Sequence, residues 1–301
     1  MKLTKNKKTI DDMTSFMYVE NEQSIYTGDE NSEIARISRQ NEYLNKVVAP
    51  YLNDVFSHFD NPDILDVGCA DGSNILLRLA GRKYHSLLGI DRNSKKIEYA
   101  CNKYQTDNIC FECCDISSAD LHKILSEYLE KKQILGFDII HISSVLLHLK
   151  NPGKLLEELK EYLSENGRIF IQDEDDGINL VYPNEECFDD CFYVWNHSIE
   201  AGDRHMARKI PNLLAENGYS EIKIYSSTLC SADFNGEMKD RLWDMYFNSD
   251  LWVADNLSFY DNIEGYERFK KYKERHKDLK EKYLKGRYFI MLGVFFFSAK
   301  K

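Results

Sequence analysis

The chemistry of this chain is concentrated in residues 63–74, Asp-Ile-Leu-Asp-Val-Gly-Cys-Ala-Asp-Gly-Ser-Asn. Ile64 to Val67 predicts a short buried parallel strand. The chain then breaks at Gly68 and Gly72, and a helical pattern starts at Ile75. A strand that runs through a glycine bend into a helix brings free backbone N–H groups to a nucleotide at the edge of an open α/β sheet. Gly68 has no Cβ to hold a ligand off. The run is not the dinucleotide fingerprint, which needs G-x-G-x-x-G. Ala70 fills the middle glycine place, and Asp71 sets a negative charge where a pyrophosphate would lie. Such a bend repels a diphosphate and tolerates a ligand that carries an ammonium and a sulfonium.

Those two cationic groups belong to S-adenosylmethionine. The run resembles motif I of the class I S-adenosylmethionine-dependent methyltransferases, Asp-x-Gly-x-Gly-x-Gly, with Ala70 as the one departure. The resemblance assigns Asp66, Gly68, Cys69, Ala70, Gly72 and Asn74 to the cofactor. Further motifs follow in order. Ser86 to Asp91 predicts the second strand, and a carboxylate at its tip, Asp91, accepts hydrogen bonds from a ribose diol. The resemblance lays Arg92 on the adenine and gives the adenine amino group to Asp115 and a ring nitrogen to the Ile116 N–H, at the end of a third strand over 108–116. Phe137-Asp138-Ile139-Ile140-His141-Ile142 and the stretch to Pro152 are similar to the family's fourth strand and following loop. That similarity places His141, Ile142 and Ser143 beneath the methionine part of the cofactor and makes His148 a candidate base. Residues 25–40 are similar to the N-terminal helix that lies over the cofactor in small-molecule methyltransferases, so Tyr26, Arg36 and Gln40 are candidate lid contacts.

These residues need a scaffold, and the resemblance, together with the strand and helix patterns, implies one. The expected fold is a Rossmann-like α/β sheet of seven strands, parallel with one antiparallel strand, flanked by helices and topped by a helical cap. An amphipathic helix over 155–163, stopped by Glu165-Asn166-Gly167, leads to a fifth strand at 168–172. Strands six and seven are read at 221–227 and 288–299. The division follows: N-terminal cap helices in 1–60, the cofactor-binding core in 61–177, a cap insertion in 178–210, core again in 211–227, a second helical insertion in 228–286, and the last strand in 287–301.

The fifth strand ends in Asp173, Glu174, Asp175 and Asp176. Ligands of open sheets bind at carboxyl ends of strands, so these acids face the substrate side. They could bind an amine, take a proton or hold a divalent cation, and Asp173 and Glu174 sit nearest the strand. Residues 178–208 are rich in aromatics and carry His197, Asp203, Arg204 and His205, side chains suited either to a small-molecule cap or to the core of an insertion. The candidate proton acceptors are His148, Glu174, His197 and His205.

Composition narrows the function further. The chain has 301 residues, 43% of them hydrophobic and 30% charged, which is a globular balance with room for one large α/β domain and a cap. Its net charge of -11 argues against a nucleic-acid substrate held by phosphate contacts. No apolar stretch is long enough for a membrane span, and no apolar segment follows the basic residues Met1 to Lys8, so a cytoplasmic location is expected. Eight cysteines form no framework: Cys110, Cys113 and Cys114 alternate along a strand, and Cys187 and Cys191 lack a second ligand pair. No metal is expected. The reading is a methyltransferase that moves a methyl group to an O, N or C nucleophile of a small molecule. A methyltransferase of protein or RNA, a non-catalytic nucleotide-binding protein and a nicotinamide oxidoreductase on a similar sheet stand as alternatives. Monomer and homodimer are both open.

Overall fold

The strand at residues 63–67 is buried along its whole length, because Ile64, Leu65 and Val67 face helices on both sides of a sheet. The computed structural model describes residues 44–197, 202–247 and 263–301. Its elements are α1 (44–56), β1 (Asp63–Val67), α2 (Ser73–Leu79), β2 (Ser86–Asp91), α3 (Ser94–Tyr104), β3 (Ile109–Cys113), α4 (Asp120–Lys132) and β4 (Phe137–Ser143). There follow α5 (Pro152–Glu161), β5 (Leu163–Asp173), β6 (Leu180–Tyr182), α6 (Glu186–His197), α7 (Ile210–Glu216), β7 (Ser220–Cys230), α8 (Gly236–Tyr246), α9 (Ile263–Leu284) and β8 (Phe289–Lys300).

The strands run β3-β2-β1-β4-β5-β8-β7, and β8 is antiparallel to its neighbours while the others are parallel. This is the expected seven-stranded Rossmann-like sheet. One short strand was not foreseen. β6 pairs with residues 289–291 of β8 on the edge that β5 occupies further along, so it prolongs the β5 position by three residues.

Helices cover both faces. On one face α1 buries Leu44, Val48, Leu52 and Val55, residues spaced at helical intervals, beside Ile75 and Leu79 of α2 and Ile97 of α3. On the other face Leu121 and Leu125 of α4, Leu155, Leu156 and Leu159 of α5, and Leu214 of α7 pack on Leu65, Val67 and Ile140. The caps match the sequence: Asn93 accepts from the Lys95 and Lys96 N–H groups at the start of α3, and Pro152 opens α5 behind Asn151.

Two boundaries differ from expectation. β3 ends at Cys113 and not at 116. Glu165-Asn166-Gly167 does not stop a helix: α5 ends at Glu161, and Gly167 lies inside β5, where a Cβ would stand 2.8 Å from the Phe137 carbonyl oxygen. Glycine is needed there for close approach of two backbones at a shift in the β4–β5 register. The aromatics of the insertions divide as well. Phe188 of α6 is fully buried, edge-on to Trp243, Phe247 and Tyr288 with ring centroids 5.0–6.3 Å away, so it serves as core. Tyr182 remains 75% exposed.

Candidate functional site

At the end of β1 the chain takes three left-handed steps: Gly68, Ala70 and Gly72 have φ of 72°, 50° and 74°. Ala70 therefore adopts a conformation that glycine normally occupies, which is the cost of its departure from the motif. The Gly68 and Cys69 N–H groups both donate to the Ile90 carbonyl, at 2.8 and 3.0 Å, and tie the bend to β2. Asp91 then braces it: Oδ2 accepts from the Ala70 N–H at 2.9 Å and Oδ1 from the Asn93 N–H at 2.8 Å. A Cβ on Gly68 would lie 2.4 Å from a Val145 methyl, and one on Gly72 would meet the Phe111 ring at 2.6 Å. Both glycines thus let neighbouring side chains close on the bend. Cys69 is buried, and burial together with Asp66, Asp91 and Asp71 pushes its thiol far above the ordinary range, so it packs and does not react. In the first turn of α2, the Asn74 Oδ1 atom is buried without a hydrogen-bond partner.

Asp66 and His141 turn away from this open end. Asp66 Oδ1 lies 2.5 Å from His141 Nδ1, and His141 Nε2 lies 2.6 Å from Arg78 Nη1. Arg78 also donates through Nη2 to Gln172 Oε1. All four side chains are at most 3% exposed and sit between α2 and one face of the sheet. A guanidinium only donates, so His141 Nε2 carries no proton and Nδ1–H donates to Asp66. Burial and Arg78 both push the imidazole toward its neutral form against the pull of Asp66. Burial lowers Arg78 to about 10, which leaves it charged at neutral pH. The side chains of Asp66 and His141 are therefore committed to support of the strand ends.

The remaining predicted positions lie at strand tips. Asp115 and Ile116 are half-buried just past β3, where Asp115 Oδ1 accepts from the Ser117 N–H at 2.8 Å. Arg92 is exposed next to Asp91, and Ser143 is half-buried at the end of β4. Ile142 is fully buried in the core on the opposite face from His141, so only its backbone belongs near the tip. Tyr26, Arg36 and Gln40 lie outside the described residues.

Beyond β5 the acids are paired. Arg204 holds Asp176 through Nε and Nη2, both at 2.9 Å, and reaches Glu174 Oε2 at 2.5 Å. Arg208 holds Asp175 in the same two-pronged way at 2.6 and 2.5 Å. Asp173 is different. It is 1% exposed, has no cationic side chain in hydrogen-bond contact among the described residues, and accepts from the Glu174 and Leu147 N–H groups. Burial raises its carboxyl to about 8. Asp173, Glu174 and Asp176 border a shallow cleft, lined also by Gln172 and Arg204 and by Leu44, Tyr246, Leu292 and Val294.

Of the four candidate proton acceptors, only Glu174 lines this cleft. His148, just past β4, is exposed. Crowding by the surrounding protein and the Arg204 and Arg92 guanidiniums push it toward the neutral form. With its surface open to water, the repulsion from the guanidiniums is the part of that effect that persists. His197 ends α6, stacked 3.9 Å from the Tyr193 ring with Nδ1 on the Tyr193 carbonyl. His205 is half-buried in the loop that carries Arg204. Among the described residues no cluster of His, Cys, Asp or Glu is arranged to hold a metal, and no helix is long and apolar enough to cross a membrane.

Sequence reasoning missed Arg78 and Gln172. A signal for Arg78 was present: with Ile75 and Leu79 it falls at i, i+3 and i+4, so the apolar face of α2 must bury an arginine. Leu292 and Val294 reach the cleft from β8, far along the chain, and no local pattern marks them.

Comparison with known proteins bears on this arrangement. Two curated relatives match. One is the ubiquinone biosynthesis O-methyltransferase of Glaesserella parasuis serovar 5 (strain SH0165), 28% identical over 130 residues, which are 42% of this chain and 52% of that protein. The other is the tRNA U34 carboxymethyltransferase of Hahella chejuensis (strain KCTC 2396), 24% identical over 230 residues, 73% of this chain and 61% of that protein. The chain thus spans between half and two thirds of the length of these relatives. Among solved structures, the plantazolicin methyltransferase BpumL in complex with SAH is 16% identical with a TM-score of 0.50, covering 97% of this chain and 96% of that one, which is a likeness of fold. The methyltransferase domain family matches residues 58–221, more than half of the chain and every element from β1 into β7. The chain therefore belongs to that family, the class I S-adenosylmethionine-dependent methyltransferases.

Proposed function

We propose that this methyltransferase acts on a small-molecule acceptor, bound in the cleft at the end of β5, whose O, N or C nucleophile attacks in line. S-adenosylmethionine supplies a methyl group on a positively charged sulfur. The residues of the bend fit such a ligand. Asn74 Oδ1 is a buried acceptor with no partner, suited to an ammonium N–H. Asp91 has used two of its roughly four lone-pair positions on backbone N–H groups, which leaves room for ribose hydroxyls. In this reading Asp115 and the Ile116 N–H hold the base, with Arg92 along its face. Gly68, Cys69, Ala70 and Gly72 shape the bend, the Ser143 region lies under the amino-acid tail, and Asp66 and His141 support from below.

A displacement of this kind needs alignment and exclusion of water more than it needs a base. Glu174 is held by Arg204 through one oxygen, so the other is available to accept a proton from the acceptor. His148, kept neutral by its cationic neighbours, is the second basic group at the strand tips. Leu44 of α1 and Tyr246 of α8 form part of the cap over this cleft.

The observation that carries this reading is the lining of the cleft, aliphatic, aromatic and acidic with Arg204 held between two acids, which suits a small organic molecule better than a chain of phosphates. A tRNA acceptor, suggested by the name of one relative, would need a cationic track for phosphates. The test pairs two measurements. Calorimetric titration should show binding of S-adenosylhomocysteine and none of NAD. With a methyl-tritiated donor and a cell extract, label should enter the dialysable fraction; label confined to RNA or protein would overturn the small-molecule assignment.

A further inference from the structure

The buried row under the bend ends in the cleft. Gln172 is 2% exposed, its Oε1 accepts from Arg78, and the residue lines the cleft beside Asp173. Because a guanidinium has no acceptor, the oxygen of the amide must face Arg78, and the NH₂ must point the other way. Among the described residues nothing accepts from that NH₂. The orientation is not local to Gln172. Arg78 is itself fixed by His141 Nε2, whose lack of a proton is dictated by the Nδ1–H bond to Asp66.

We propose that Gln172 is a specificity-determining residue of the acceptor site, its NH₂ held toward the cleft by the row Asp66–His141–Arg78, and that the methyl acceptor carries a hydrogen-bond-accepting oxygen, a carbonyl or carboxylate, beside an apolar body. This deepens the small-molecule reading and rests on it. The apolar body lies against Leu44, Leu292, Val294 and the Tyr246 ring, and the oxygen meets the Gln172 NH₂. Arg204 is shared between Glu174 and Asp176, and the Asn179 amide donates to Asp176. A ligand that supplies an acceptor to this NH₂ is selected over an isostere that covers it without one.

The test uses the full chain saturated with S-adenosylhomocysteine and benzamide as the probe, followed by ligand-observed NMR. Gln172→Glu keeps the shape and the bond to Arg78 but turns an acceptor oxygen to the cleft. Benzamide should bind the wild type and weaken about tenfold in this variant, while S-adenosylhomocysteine affinity changes less than about twofold. Gln172→Leu, which removes both polar atoms, should show the same weakening of benzamide. Equal benzamide affinity in all three proteins, or none in a wild type that binds S-adenosylhomocysteine, overturns the proposal. A wild type that binds no S-adenosylhomocysteine removes the methyltransferase reading beneath it instead. The positioning role has its own readout: ¹⁵N shifts of His141 should report a protonated Nδ1 and a bare Nε2 at pH 8, and the opposite tautomer overturns it.

Discussion

Two sets of charged side chains flank the ends of β4 and β5, and they are built on opposite terms. Under the glycine bend, Asp66, His141, Arg78 and Gln172 are buried, and one chain of hydrogen bonds runs from Asp66 Oδ1 through both ring nitrogens of His141 and two nitrogens of Arg78 to Gln172 Oε1. Around the cleft mouth, Glu174, Asp175 and Asp176 meet Arg204 and Arg208, whose side chains are 14% and 53% exposed. The sealed set survives only while its charges balance, since an unpaired ion in the interior is far more costly than the pair. The outer set is in contact with water and salt, so its members can be exchanged at small cost. The largest effect should follow from breaking the sealed set. Arg78→Ala removes the buried cation beside the Asp66–His141 pair, leaves His141 Nε2 and Gln172 Oε1 unpaired, and should lower unfolding free energy by about 3–5 kcal/mol in urea titrations. A loss no greater than that of an Arg208 variant would remove the distinction.

Asp173 stands between the two sets, sealed like the first and without a cation in hydrogen-bond contact among the described residues. With its carboxyl raised by burial to about 8, the folded state keeps a proton that the unfolded chain releases near pH 4. The unfolded state therefore binds fewer protons between about pH 4 and 8, and stability falls as pH rises through that window. Asp173→Asn should flatten the fall, which a series of urea midpoints from pH 4 to 9 would show. A variant that follows the wild-type slope would mean that Asp173 is ionised throughout. The next effect down belongs to the cofactor side. Asp91→Ala removes an acceptor from both the bend and the proposed ribose site and should weaken S-adenosylhomocysteine binding by about 2 kcal/mol, roughly thirtyfold, by calorimetry. Unchanged affinity would place the ribose elsewhere.

The contrast also explains what was legible in the sequence. The first five strands, the bend and the place of Asp91 at a strand tip could be read because each depends on neighbours along the chain: Val67 to Gly72 is one turn, and Asp91 sits at the end of an unbroken apolar run. The sealed row could not. Asp66 and His141 bond each other across neighbouring strands, and the next member, Arg78, comes from a helix that meets the sheet only after folding. The cleft was less legible still. Gln172 and Asp173 are close to Glu174 in sequence, but Leu292 and Val294 arrive through an antiparallel strand more than a hundred residues later. The expected helix stop at Gly167 failed for the same reason, since a tertiary approach to Phe137 and not the local turn sets that residue.

The smallest effect should come from the outer set, and it is the sharpest check on the comparison. Arg208→Ala removes the two-pronged partner of Asp175, a carboxylate that is itself only 3% exposed. If burial of the acid alone decided the outcome, this variant would resemble Arg78→Ala. Asp175 differs in that the Gly177 N–H still donates to it at 2.9 Å, and departure of a half-exposed guanidinium admits water to the freed oxygen. The melting temperature should therefore fall by about 2 °C or less, and the difference from wild type should shrink as salt is raised from 0.05 to about 0.5 M. A larger, salt-insensitive loss would show that the mouth of the cleft is as sealed as the row beneath the bend.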